Sequence, residues 1–76
     1  MTQPTRDVPI RDGSIRLGQF LKLAGLIDSG ADAKAVIAEG EVTVNGDVER
    51  RRGRQLQPGD TVSVGGRAAR VAEGSR

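Results

Sequence analysis

Four arginines within five residues are the feature of this chain with the clearest chemistry, and they are Arg50, Arg51, Arg52 and Arg54. Each guanidinium presents paired N–H donors that match phosphate oxygens, and a compact cluster can release several counterions from a polyanion. Of the acidic residues, only Asp47 and Glu49 are near in sequence, so the segment keeps a local excess of positive charge. The pattern favours phosphate binding over the plainer interpretation, which is a solvated loop.

Composition excludes most catalytic chemistry. The 76 residues include no histidine and no cysteine, so the commonest general base, the commonest metal ligand and all thiolate chemistry are absent. The carboxylates are scattered and suggest neither an acid–base pair nor a metal cage. We therefore expect a protein that is not an enzyme and needs neither a cofactor nor a metal.

The overall charge says less than its distribution. The formal net charge is only +2 and the pI is about 9.9, too mild a balance to indicate nucleic acid by itself. No apolar run approaches the length of a membrane span, and the polar N-terminus lacks a signal-peptide core. We expect a cytoplasmic protein with no membrane partner.

A hairpin fixes where the arginines begin. Asn45-Gly46 between alternating apolar residues predicts a type I′ turn, because both residues tolerate positive φ. We expect Val44 before the turn and Val48 after it to share the buried face. Strict alternation would then bury Arg50, so the strand should end, bulge or reach the rim there. The arginines are thus predicted on a loop or rim.

A first helix is indicated by apolar residues three and four positions apart, at Leu17, Phe20, Leu21 and Ala24. Gly25 follows as a left-handed stop. Phe20 is the only aromatic residue, and its place in this stripe predicts a core side chain and not a base-stacking platform. Lys22 points away from the stripe, toward solvent or a partner.

A second helix is predicted between Ser29, which can cap its N-terminus in a capping box with Asp32, and Gly40, which ends it. Lys34 lies near its N-terminal end, whose partial positive charge attracts anions. The pair resembles a helix–turn–helix. However, the second helix offers only Lys34, Ala35 and Ala38 to a groove, so direct reading of DNA bases is not expected.

The remaining chain predicts one small domain over residues 8–72 between disordered tails at 1–7 and 73–76. Residues 8–10 contain a proline and predict an edge strand. Residues 57–60 predict a type II turn, 61–64 alternate as a strand, Gly65-Gly66 turns the chain, and 68–72 predict a last strand.

Residues spread through the chain carry a family resemblance, in the order Arg16-Leu17, Phe20-Leu21-Lys22, Ser29-Gly30, Ala33-Lys34, Ile37, Glu39-Gly40, Val42, Val44-Asn45-Gly46, Val48-Glu49, Arg51-Arg52 and Gly59-Asp60. This order resembles the RNA-binding domain named for ribosomal small-subunit protein four, also called the alpha-L motif. Within that family it is most similar to the stand-alone YbcJ-like proteins of bacteria. The resemblance implies an α+β fold in which two helices pack on a small, mostly antiparallel sheet.

The resemblance also implies a binding surface. The family binds structured RNA, often ribosomal or transfer RNA, through the two-helix face and the neighbouring loop, so we expect such an RNA, and the ribosome, as partners of a monomer. Basic helical positions of the family are matched by Arg16, Lys22 and Lys34, and its basic segment by Arg50 to Arg54. Gly18 stands where the family often has an acidic residue, and Gly30 where it often has an arginine.

Two other classes of function remain open. The Asn45-Gly46 and Gly65-Gly66 pairs with the intervening turn are also similar to β-grasp sulfur carriers, which react through a C-terminal Gly-Gly carboxylate. That alternative expects a long opening hairpin where this chain has a helical pattern. The second open class is a ribosome-associated protein-interaction module, in which the arginines bind an acidic protein partner. The scarcity of aromatic residues favours a reader of backbone and shape in folded RNA over one that stacks bases.

Overall fold

Two short helices cover one face of a five-stranded sheet in the computed structural model, which describes residues 5–28 and 32–74. The predicted α+β fold is confirmed. The elements follow the chain as β1 (Arg6–Ile10), β2 (Ile15–Arg16), α1 (Leu17–Leu23), α2 (Ala33–Ala38), β3 (Val42–Val44), β4 (Asp47–Val48), β5 (Gln55–Leu56), β6 (Thr61–Val64) and β7 (Arg67–Glu73).

The main sheet has the strand order β1-β7-β6-β3-β4, in which β1 runs parallel to β7 and the other pairs are antiparallel. The predicted edge strand is confirmed, and Val8 pairs with Val71. It begins at Arg6, so Arg6 and Asp7, predicted in the tail, belong to the strand. At the other end β7 extends one residue beyond the predicted domain, to Glu73.

A second, two-stranded sheet joins β2 to β5 and was not predicted. Ile15 pairs with Leu56 and Arg16 pairs with Gln55. Strands of two residues are too short to show the alternation from which strands are recognised. This small ribbon holds the start of α1 beside the chain that follows the arginines.

The core lies between the helices and the main sheet. Phe20 has no exposed surface, which confirms its predicted place in the core. The largest fully buried side chains come from both helices and from strands of both sheets: Phe20, Leu17, Leu21, Ile37, Leu56, Val42, Val44, Val62 and Val71. Burial of this apolar surface is the main favourable contribution to folding in a chain this small.

Both helices end on a glycine with positive φ. Gly25 (φ 68°) follows α1, where Leu26 N–H donates to the Leu21 carbonyl and Gly25 N–H to the Lys22 carbonyl. These two bonds form a Schellman motif, which satisfies carbonyls left free at a helix end. The same arrangement recurs after α2 at Gly40 (φ 79°).

The N-terminal cap of α2 is Asp32. Its Oδ1 accepts a hydrogen bond from the Lys34 backbone N–H at 3.0 Å, and the helix begins at Ala33. The predicted cap by Ser29 lies outside the described residues. An aspartate cap places Lys34 in the first turn of α2.

The predicted hairpin turn is confirmed. Asn45 (φ 53°) and Gly46 (φ 90°) both have positive φ, as a type I′ turn requires. Val44 then pairs with Asp47 across the two-residue loop. This short connection fixes the register of β4 against β3.

That register contradicts the predicted burial of Val48. Val48 pairs with Thr43, so it lies on the sheet face opposite Val44, and it is 52% exposed. Side chains alternate along a strand, so the next residue, Glu49, turns inward instead. The Glu49 N–H donates to the Val42 carbonyl at 3.0 Å, and only 7% of the residue is exposed.

Two further predicted turns are confirmed. Asp60 N–H donates to the Gln57 carbonyl at 3.0 Å, and Gly59 has a φ of 103°, which together define a type II turn. Gly65 and Gly66 connect β6 to β7 with φ values of 55° and 89°.

Candidate nucleic-acid interface

The arginines lie on a loop between β4 and β5, as predicted, and residues 49–54 are called the arginine loop below. This loop is attached to the start of α1. Leu17 N–H donates to the Arg54 carbonyl at 2.8 Å, and Gly18 N–H donates to the Arg52 carbonyl at 3.1 Å. The first N–H groups of a helix have no partner within the helix, so the arginine loop satisfies two of them.

The carboxylate of Glu49 binds two arginines of its own loop. Its Oε2 accepts from the Arg51 backbone N–H at 3.1 Å and from Arg51 Nε at 3.2 Å, while its Oε1 accepts from Arg54 Nη1 at 2.9 Å. The hydrogen bond from Arg54 makes the largest contribution, and together with those from Arg51 it lowers the pKa of Glu49 to about 2. Both oxygens of an almost inaccessible carboxylate are thus occupied.

The two arginines that bind Glu49 differ in how much they offer to a ligand. The Arg54 side chain is 35% exposed and the Arg51 side chain is 80% exposed. Although all four arginines lie on the loop, Arg54 is half buried against Glu49. Arg51 uses its Nε and leaves the rest of its guanidinium toward solvent.

Arg50 lies at the C-terminal end of α2. A Cβ placed on Gly40 would be 2.8 Å from Nη2 of Arg50, so the guanidinium covers this glycine. Gly40 stands between Glu39 and Glu41 in the chain, and Glu39, by hydrogen bonding and by charge, raises the pKa of Glu41. A polyanion that approached Arg50 would also approach two carboxylates.

A groove of about 330 Å³ lies between the arginine loop, one side of α1 and the N-terminal end of α2. Four cationic side chains from separate parts of the chain line this basic groove: Arg16, Lys22, Lys34 and Arg52. Asp32 is the one carboxylate among the described residues that line it, and its Oδ1 is occupied by the Lys34 N–H. The groove is therefore a strongly cationic concavity.

Each cation reaches the basic groove from a different element. Arg16 precedes α1 and pairs in β2, while Lys22 lies in the last turn of α1. Lys34 lies in the first turn of α2, and Arg52 comes from the arginine loop. The structure thus brings together four of the seven predicted site residues. The other three, Arg50, Arg51 and Arg54, do not line the groove.

Gly18 keeps the floor of the groove free of acidic charge. A Cβ there would lie 3.8 Å from the Cβ of Arg52, so the arginine loop sits at van der Waals distance from α1. An acidic side chain at this position would enter the groove beside its cations. Gly30, the other departure from the family pattern, lies outside the described residues.

Glu49, the residue around which the arginine loop folds, was not predicted from the sequence. A signal for it was present, because a two-residue turn that pairs Val44 with Asp47 must place Glu49 on the same face as Val42 and Val44. Asp32 as the true cap of α2 is a smaller omission.

The described residues offer no other obvious chemistry. Among them, no three histidine, cysteine, aspartate or glutamate side chains come close enough to hold a metal ion. No helix in residues 5–28 and 32–74 is long and apolar enough to cross a membrane.

The structure is a small α+β domain with a cationic groove, and comparison with known proteins gives the family. Residues 8–72 match the S4 domain, and the chain belongs to this family. It is 54% identical over 52 residues to the "Probable ribosome maturation protein RlbA" of Bacillus subtilis, covering 68% of this chain and 73% of that protein. It is 46% identical over 57 residues to the "Putative RNA-binding protein YbcJ" of Escherichia coli, covering 75% and 81%.

A solved structure has the same fold. The 30S ribosomal protein S4e of Thermoplasma acidophilum matches with a TM-score of 0.60 and 25% identity, covering 78% of this chain. The match spans 31% of that longer protein, so it compares one domain only.

The alternative of a β-grasp sulfur carrier does not agree with the fold. Helix α1 occupies the place where such a carrier needs a long opening hairpin. Gly65-Gly66 forms the turn between β6 and β7, and β7 continues after it to Glu73. The shared residues reflect turns that both folds use.

Proposed function

We propose that this protein binds structured RNA through phosphate contacts in the basic groove and catalyses no reaction on it. The observation that carries the proposal is the convergence of Arg16, Lys22, Lys34 and Arg52 on one concave surface. Cations from separate segments meet there although the net charge of the chain is only +2. A concentrated patch on a nearly neutral protein is the electrostatic pattern of a polyanion site.

Membership of the S4 domain family and the names of the relatives support RNA as the polyanion. We propose ribosomal or transfer RNA as the RNA class, with the ribosome as the place of binding and the cytoplasm as the compartment. The relative named for ribosome maturation and the ribosomal protein of like fold both favour this choice. The proposed active form is the monomer, because one chain supplies all four cations of the groove.

Folded RNA fits the groove better than single strands do. The only aromatic residue, Phe20, is fully buried, so it offers no ring to stack on an unpaired base. The groove offers guanidinium and ammonium groups, which bind phosphates whatever the base sequence. We therefore propose recognition of backbone shape with weak sequence specificity, and binding at the groove, to which the arginine loop contributes Arg52.

A salt titration of RNA affinity tests the proposal. The probes are a transfer RNA transcript and a ribosomal RNA hairpin, with single-stranded polyuridine of equal length for comparison. Lys22→Ala should weaken both folded probes together and reduce the slope of log affinity against log salt by about 0.7–0.9, because one phosphate is no longer neutralised. Arg11→Ala is the matched control, because Arg11 is exposed and does not line the groove.

Three results would contradict the proposal. Absence of RNA binding by the wild type, with salt-sensitive capture of an acidic protein instead, would favour the protein-interaction alternative. Equal loss of affinity in Lys22→Ala and Arg11→Ala would mean that net charge and not the groove binds RNA. Tighter binding of polyuridine than of either folded probe would exclude a reader of folded RNA.

A further inference from the structure

The arginine loop owes its shape to one acidic side chain. Glu49 accepts three hydrogen bonds, two from Arg51 and one from Arg54, so its carboxylate spans most of the loop. Within the same loop the Arg54 N–H donates to the Arg51 carbonyl at 3.2 Å. The loop is closed on itself around a side chain that is 9% exposed.

The loop so closed is the one that reaches the basic groove. The carbonyls of Arg52 and Arg54 accept from the N–H groups of Gly18 and Leu17 at the start of α1. Arg52 lies between the two arginines that Glu49 binds, and its own side chain lines the groove. The position of Arg52 therefore depends on a loop whose closure depends on Glu49.

We infer that Glu49 is a positioning residue for RNA binding: its carboxylate holds the arginine loop in the shape that places Arg52 in the basic groove. The inference rests on the proposed function. It has an unusual consequence, because it makes an acidic residue favourable for binding a polyanion. Charge alone predicts the reverse, since removal of a negative charge beside a cationic site should strengthen its attraction for RNA.

The two explanations predict changes of opposite sign in RNA affinity, so Glu49→Gln distinguishes between them. Glutamine has nearly the same shape and keeps one acceptor oxygen, but it lacks the charge that attracts both arginines. If Glu49 positions the loop, RNA affinity falls by about two- to 150-fold, the range of couplings within one salt-bridge network. If only charge matters, RNA affinity rises.

Asp47→Asn is the matched control for charge. Asp47 is exposed, lies two residues before Glu49, and its carboxylate makes no ion pair with another described residue. Its substitution removes the same negative charge without touching the arginine loop. Affinity for the transfer RNA transcript should stay level or rise slightly, opposite to the change in Glu49→Gln.

A double-mutant cycle tests whether Glu49 acts through Arg52. In an Arg52→Ala background, Glu49→Gln should have little further effect, because the side chain that it positions is already gone. Full additivity of the two losses would overturn the inference. A wild-type affinity in a folded Glu49→Gln protein, or one tighter than wild type, would overturn it as well.

A second variant keeps the test independent of how well Glu49→Gln folds. Arg54→Lys preserves the charge but not the planar fork that reaches Oε1 of Glu49, so it should weaken RNA binding at unchanged net charge. Arg50→Lys, outside this network, should bind as the wild type does. Equal affinities for all three proteins would contradict the inference, whereas absence of RNA binding by the wild type would contradict the proposed function itself.

Discussion

Arg54 donates from Nη1 to Oε1 of Glu49 across 2.9 Å, and this contact makes one arginine of the loop a part of the fold. We predict that Arg54→Ala lowers the melting temperature, because it leaves a nearly inaccessible carboxylate with one of its oxygens unpaired. Arg52→Ala, from the same loop but with its side chain in the groove, should change stability by no more than about 0.5 kcal/mol. Melting curves of the two variants check this, and equal melting temperatures would show that the Glu49–Arg54 contact is not maintained in solution.

Glu49 also predicts how the protein responds to acid. Its pKa falls from an ordinary value of 4.5 to about 2 in the fold, so at intermediate pH the unfolded chain binds a proton that the folded chain does not. Its contribution to stability is therefore complete above about pH 5 and is lost as the pH falls toward about 2. Denaturant melts across this range should show a steeper loss for the wild type than for Glu49→Gln.

The comparison of two proteins is needed because another carboxyl acts in the opposite direction. Glu39 raises the pKa of Glu41, so protonation of Glu41 at low pH favours the folded state. Subtracting the Glu49→Gln curve from that of the wild type removes this background. Parallel curves for the two proteins would mean that Glu49 has no lowered pKa.

Phe20 predicts a large loss of stability. It is fully buried, and Phe20→Ala should cost about 3–5 kcal/mol, a large part of the roughly 4–11 kcal/mol that a chain of this length has. Leu23→Ala is the control from the same helix, since Leu23 is 56% exposed and should change stability by less than about 0.5 kcal/mol. Denaturant titrations measure both. A folded Phe20→Ala protein that had lost only RNA binding would reassign Phe20 to the interface.

The hairpin turn predicts a loss of stability that comes from backbone conformation. Gly46 has a φ of 90° and open space around it, so a side chain there meets backbone strain and not a clash. Gly46→Val should cost about 1–2 kcal/mol or more, because β-branched residues strongly disfavour this conformation. Gly53→Ala, also in open space but without positive φ, should be nearly neutral. Identical melting curves for both variants would contradict the type I′ turn in solution.

The fold was largely predictable because its main elements repeat a pattern or end on a characteristic residue. The α1 stripe around Phe20 and the Asn45-Gly46 turn are local signals, and both were correctly interpreted. The β2–β5 ribbon was not, because two residues cannot display a period. Asp32 caps α2 in the structure, and sequence alone does not choose between it and Ser29, because both are good caps.

The candidate site was predictable in its residue types but not in its grouping. Arg16, Lys22, Lys34 and Arg52 share a groove only because α1 donates hydrogen bonds to the arginine loop, an interaction between residues far apart in the chain. The error at Val48 had the greatest consequence. With Val48 assigned to the buried face, Glu49 was assigned to the exposed face. Its contacts with Arg51 and Arg54 were therefore not predicted, and the four arginines were treated as one equivalent set.

The final prediction separates two arginines that the sequence cannot distinguish. Arg50 and Arg52 carry the same charge two residues apart, yet Arg52 lines the basic groove and Arg50 covers Gly40 at the opposite end of α2. That helix has six residues, so its ends are separated by about 9 Å. The position of Arg50 also places it near the chain segment that carries Glu39 and Glu41.

Arg52→Ala should therefore weaken binding of the transfer RNA transcript and flatten its salt slope by about 0.7–0.9, the value for one phosphate interaction. Arg50→Ala should leave the RNA affinity and the salt slope close to those of the wild type, because the Arg50 guanidinium lies outside the groove in which the RNA backbone is proposed to bind. A salt titration of the wild type and the two variants measures the difference directly. If Arg50→Ala weakens binding as much as Arg52→Ala, the whole arginine loop and not the basic groove holds the RNA.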